Sequence, residues 1–134
     1  MMEFILAFVV VAVVFAVIDA VWLKLSSSFY KKELGSLLLK VPNFSAAVAF
    51  YILYVIGVVA FVVEPALRQV SVLAAMGYGA LFGLVAYATY DLTNLATLQQ
   101  WSKRVVAVDM VWGVFVTSTA ATAAYLILTE WLSL

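Results

Sequence analysis

Residues Tyr87 to Gly113 read Tyr-Ala-Thr-Tyr-Asp-Leu-Thr-Asn-Leu-Ala-Thr-Leu-Gln-Gln-Trp-Ser-Lys-Arg-Val-Val-Ala-Val-Asp-Met-Val-Trp-Gly. Two carboxylates (Asp91, Asp109), the Asn94 amide, Tyr87, Tyr90, Trp101 and Trp112 stand here between long apolar runs. A polar group among such neighbours must be hydrogen-bonded or put to use, because leaving it unpaired in an apolar medium costs several kcal/mol. The flanking runs are long enough to cross a bilayer. The stretch therefore reads as the end of one membrane helix, a short loop holding Lys103 and Arg104, and the start of the next.

Composition agrees. Hydrophobic residues make up 68% of the 134 and charged residues only 10%, with mean hydropathy +1.19. Soluble domains lie at about 45–50% apolar. Net charge is zero, so nothing points to nucleic acid. The absence of Cys and His removes disulfides, thiol redox chemistry, Cys/His zinc sites and a His general base. No cofactor is expected. A metal at the carboxylates stays open.

The hydropathy blocks predict one all-α domain over residues 1–134, an integral membrane four-helix bundle. Its spans fall at about 3–25, 44–63, 70–98 and 105–128. The first block has no preceding Lys or Arg and is too long for a signal-peptide core, so it is expected to be retained. Residues 26–43 carry Lys31, Lys32 and Lys40 beside Phe29, Tyr30 and Leu37 to Leu39, and Gly35 and Pro42 break them up. They are expected to lie on the membrane surface. Asn43 or Ser45 caps the second span, and Glu64-Pro65 ends it.

Gly79, Gly83, Tyr87, Asp91 and Asn94 step by four, four, four and three, which places them on one helical face. Asp109, Gly113, Thr117, Ala120 and Ala124 form a similar small or polar face on the fourth span. Such faces let helices approach closely, within one chain or between copies in a homo-oligomer.

Lys24, Lys31, Lys32 and Lys40 lie between spans 1 and 2, and Lys103 and Arg104 between spans 3 and 4. The opposite side has only Arg68. The positive-inside rule puts both loaded loops in the cytoplasm and both termini outside. This imbalance argues against a protein inserting in both orientations. Asp19 and Asp109 then lie about 7–8 Å inside the cytoplasmic boundary at ~1.5 Å per helical residue. Asp91 lies about 12 Å deep on the same reckoning. Asp19-Ala20-Val21-Trp22 and Asp109-Met110-Val111-Trp112 also share an Asp-x-Val-Trp pattern. Each Trp sits one turn from its Asp, where it can pack against the carboxylate.

These positions define a candidate ligand site: Asp19, Trp22, Tyr51, Tyr54, Tyr87, Tyr90, Asp91, Asn94, Asp109 and Trp112. Against it stands the reading that intramembrane Asp residues simply join helices by hydrogen bonds. Trp101 and Trp131 read as interfacial belt residues. Three function classes follow. The first is a protein that binds or transports a cation, a proton-coupled solute or a lipid headgroup. The second is a lipid-modifying intramembrane enzyme with carboxylates as acid and base. It ranks lower, because no basic residues gather to hold a phosphate. The third is a non-catalytic scaffold or accessory subunit.

Several motifs resemble a family of small bacterial membrane proteins, domain of unknown function 2177. They are Ile18-Asp19 with Trp22, Phe50-Tyr51 with Leu53-Tyr54, Gly79-Ala80-Leu81-Phe82-Gly83, Tyr90 to Thr97, and Val108-Asp109-Met110 with Trp112-Gly113. The Tyr90–Thr97 block is the most specific. The resemblance implies a four-span protein of the bacterial cytoplasmic membrane and does not itself name an activity.

Overall fold

The computed structural model describes all 134 residues. Helix α1 covers Met2–Leu34. Its buried positions Ala7, Val11, Phe15, Asp19, Ser26 and Leu34 fall on one stripe, near-multiples of a helical turn apart. Val9, Val13, Val17, Val21 and Leu25 form a second stripe on the exposed side. An apolar stripe on both faces suits lipid as the solvent and not water. The apolar span read from hydropathy closes near Leu25, and the helix itself continues to Leu34 without a break. Ser26 Oγ turns back to donate to the Trp22 carbonyl at 2.6 Å, so this hydroxyl is satisfied inside the helix. The break comes at Gly35, whose φ of 45° suits glycine. A 3-10 turn, Gly35–Leu37, follows. Residues 26–34 of the expected surface segment are thus the last turns of α1.

The second span begins with α2, Phe44–Val58, where the Asn43 side chain accepts from the Ala46 amide at 3.2 Å. It does not stop at Glu64-Pro65. A π-helical turn, Val59–Val63, leads into α3, Glu64–Gln69. Within this turn the Glu64 amide bonds to the Val59 carbonyl, five residues back. A proline ring normally clashes with the carbonyl four residues earlier. The wider π turn relieves that crowding and carries the helix past Pro65.

Helix α4 is Val72–Thr97 and α5 is Lys103–Leu126, the latter extended by a π turn, Ile127–Trp131. Ser71 and Ser102 cap them, accepting from Ala74 N at 3.1 Å and Val105 N at 3.2 Å. Val70 joins α3 to α4 in the left-handed conformation, φ 50° and ψ 48°. That conformation costs a β-branched residue on the order of 1–2 kcal/mol. Val70→Gly is therefore expected to raise the thermal midpoint, by about 1 kcal/mol of stability. A scan of the purified variant in detergent checks it.

The four long apolar helical units make this an all-α membrane bundle. α5 lies at its centre, packed along α4 and against α1. The core joins Phe15, Val11 and Ala7 of α1 to Val55, Val58, Val59 and Val62 of the second span and Val116, Ala120 and Ala124 of α5. Between α4 and α5 the expected small faces meet each other. A Cβ on Gly79 would come within 2.8 Å of Ser118 Cα. Ser118 Oγ crosses the seam to the Met76 carbonyl at 2.9 Å. The Gly79/Gly83 face is thus taken up within the chain.

Candidate functional site

At the end of the bundle where α1 meets the α4–α5 loop, polar side chains pair across helices. Tyr51 donates to Asp19 Oδ2 from the second span, and Trp112 Nε1 donates to Asp19 Oδ1 from α5 at 3.4 Å. Tyr30, in the extension of α1, donates to Asp109 Oδ1. The Trp22 and Trp112 rings stack, with centroids 4.3 Å apart and planes 10° from parallel. The Asp-x-Val-Trp echo therefore produces a crossed arrangement. Trp112 serves Asp19 in the other copy of the pattern, not its own neighbour Asp109.

The same end is tied together outside the core. Glu33 at the end of α1 accepts from Ser102 Oγ at 2.7 Å and lies 3.7 Å from the Arg104 guanidinium. Arg104 is largely exposed, so the ion pair adds little. The contact nonetheless places the α1–α2 and α4–α5 loops, with their lysines and arginine, at one end of the molecule.

These elements line an open cavity of about 650 Å³. Asp19, Asp109, Trp22, Trp112, Tyr51, Tyr87 and Tyr90, all members of the candidate set, line it. Tyr30, Lys31 and Trp101 line it too, and Leu34, Leu38, Leu39 and Pro42 form an apolar wall. Three expected members stand elsewhere. Tyr54 points into the core and hydrogen-bonds Thr117 of α5. Asp91 is fully buried and does not line the cavity. Asn94 lies beyond Tyr90, outside it.

Two of the added residues could have been read from the chain. Asp19, Trp22, Ser26 and Tyr30 step by three, four and four, so Tyr30 follows directly once α1 is carried past Leu25. Trp101 resembled a belt tryptophan, yet its ring packs edge-on against Tyr90 with centroids 5.7 Å apart. Its indole N–H is buried without a partner. Only the turn of the α4–α5 loop brings it inward, and hydropathy carries no signal for that.

Chemically, the cavity offers two carboxylates, each already accepting from a phenol, among aromatic rings that can receive a cation on their faces. The Leu34–Leu39 wall can receive hydrocarbon. Lys31 supplies one positive charge at the rim.

Fold and cavity together define a small four-span integral membrane protein. The chain belongs to the family described as Predicted membrane protein (DUF2177), which matches residues 4–126. No curated protein and no solved structure matches it.

Proposed function

We propose that this protein binds an organic cation with an apolar body, such as an amphiphilic amine or the ammonium headgroup of a lipid, in a cavity facing the cytoplasm. The observation that carries this reading is the placement of Asp19 and Asp109 on the wall of one aromatic cavity with an apolar side. A carboxylate supplies the charge, rings supply cation–π attraction of about 0.5–2 kcal/mol each, and the leucines accept the chain. The cytoplasmic assignment rests on the gathering of Lys31, Lys32, Lys40, Lys103 and Arg104 at the cavity end, with Arg68 alone at the other. It places both termini outside the cytoplasm, in a bacterial cytoplasmic membrane.

Binding is favoured over transport because the far end of the bundle is filled by valine and alanine. It is favoured over lipid modification because Lys31 is the only base lining the cavity, too little to hold a phosphate during chemistry.

Tetraphenylphosphonium and tetraphenylborate share a shape and differ in the sign of their charge. With the protein in lipid nanodiscs, the phosphonium is expected to change the fluorescence of Trp22, Trp101 and Trp112 saturably. The borate is expected to leave it unchanged at the same concentrations. Equal responses to both would show only apolar partitioning and would overturn the reading.

A further inference from the structure

Asp91 has no exposed surface, and neither of its oxygens has a hydrogen-bond donor. The antiparallel α4–α5 seam sets Gly79 against Ser118, Gly83 against Gly113 and Tyr87 over Gly113, and its next turn brings Asp91 beside Asp109. Asp109 in turn lines the cavity and accepts from Tyr30. The other titratable groups facing the pair are Tyr30 from α1 and Tyr87 and Tyr90 from α4. Trp101 faces Asp91 from the loop without reaching hydrogen-bond geometry. None of these brings a positive charge, and Lys31, at the cavity rim, is not among the groups beside the pair. Two adjacent buried carboxylates with no cation between them cannot both be ionised in an apolar bundle.

A single proton resolves both problems. Placed between the two groups it gives Asp91 its missing hydrogen bond and halves the charge. A metal ion fits less well, since hard cations take several oxygen ligands and the Trp101 N–H also faces this carboxyl. We propose that Asp91 and Asp109 share one proton, and that a cation entering the cavity displaces it.

The balance is one for one. The protonated pair carries one negative charge, and on release it carries two. The incoming cation compensates the second, and the proton leaves through the cavity past Asp109. Asp91 does not line the cavity and Asp109 does, so Asp109 is the relay. The exchange rests on the cation-binding reading above, whereas the shared proton does not.

Infrared difference spectroscopy on the nanodisc-embedded protein tests both parts, with tetraphenylphosphonium as the probe and tryptophan fluorescence read on the same sample. A protonated-carboxyl C=O band is expected without the probe. It should be lost or shifted in both Asp91→Asn and Asp109→Asn, and lost when the probe saturates. Apparent affinity should fall about tenfold per pH unit on acidification, as one-for-one exchange requires. Absence of the band, or its persistence unchanged in both variants, overturns the shared proton. It would favour an ionised Asp91 held by Trp101, with the two relaxed into contact. Persistence of the band at full occupancy overturns the exchange and leaves cation binding standing. No fluorescence response overturns cation binding and the exchange with it, while the band still decides the proton.

Discussion

Gly83→Ala is expected to destabilise the protein by about 3 kcal/mol, at the upper end of the usual cost of overpacking. A Cβ at this position would fall inside the Gly113 carbonyl and 2.7 Å from Thr117 Oγ1. The first obstacle is backbone in the middle of α5, which cannot rotate away. The helices would have to separate, and the seam holds much more than one glycine. Ser118 bonds to the Met76 carbonyl there, and the Tyr87 ring of α4 packs directly over Gly113 of α5. Packing of this kind matters more in a membrane than in water, because lipid gives apolar helix faces no hydrophobic drive to associate. Gly77 provides the control, since nothing lies within 4 Å of a Cβ placed there. Gly77→Ala should melt at or slightly above the parent, given the better helix propensity of alanine. Thermal unfolding in detergent measures both. A Gly83→Ala variant as stable as the parent would mean that α4 and α5 do not meet along this face.

Asp19→Asn and Asp109→Asn are each expected to weaken tetraphenylphosphonium binding by tenfold to a hundredfold, or about 1.4–2.8 kcal/mol. Asp109→Asn keeps a carbonyl oxygen for Tyr30, and Asp19→Asn keeps one for Tyr51, giving up only the longer contact from Trp112 Nε1. What disappears is the charge. A thermal midpoint close to the parent's, combined with the loss of affinity, separates a binding role from helix-joining. If both variants fold and bind as the parent does, the carboxylates only tie helices together. Tyr54→Phe gives a useful contrast. It loses the bond to Thr117 in the core and should cost about 1 kcal/mol of stability, with affinity retained.

Much of this was written in the sequence. Four apolar blocks, small faces on spans 3 and 4, and the gathering of polarity at one end all follow from period and composition. Asp19, Tyr51, Asp109 and Trp112 were legible as a set because few groups in a chain this apolar can satisfy one another. The failures have physical causes too. Hydropathy drops after Leu25 and marks the span, not the helix, since a helix needs no hydropathy to continue once its hydroxyls bond to its own backbone. Pro65 is normally a stop, and only the π turn before it lets the second span run on. Tyr54 and Tyr51 lie on neighbouring turns, and spacing alone does not say which enters the core and which meets Asp19. Asp91 shares a helical face with Gly83 and Tyr87, but whether that face opens onto a cavity depends on how closely α4 approaches α5. That approach is set by side chains on the other helix.

Tetraphenylarsonium carries an arsenic atom at the centre of the same tetrahedral cation, and anomalous diffraction from a crystal of the complex would locate it without bias. One arsenic peak per chain is expected, inside the cavity between Asp19 and Asp109 and close to the Trp22 and Tyr30 rings. A peak confined to the lipid-facing stripe of Val9, Val13 and Val17, or no peak at a concentration that saturates the fluorescence change, would contradict it.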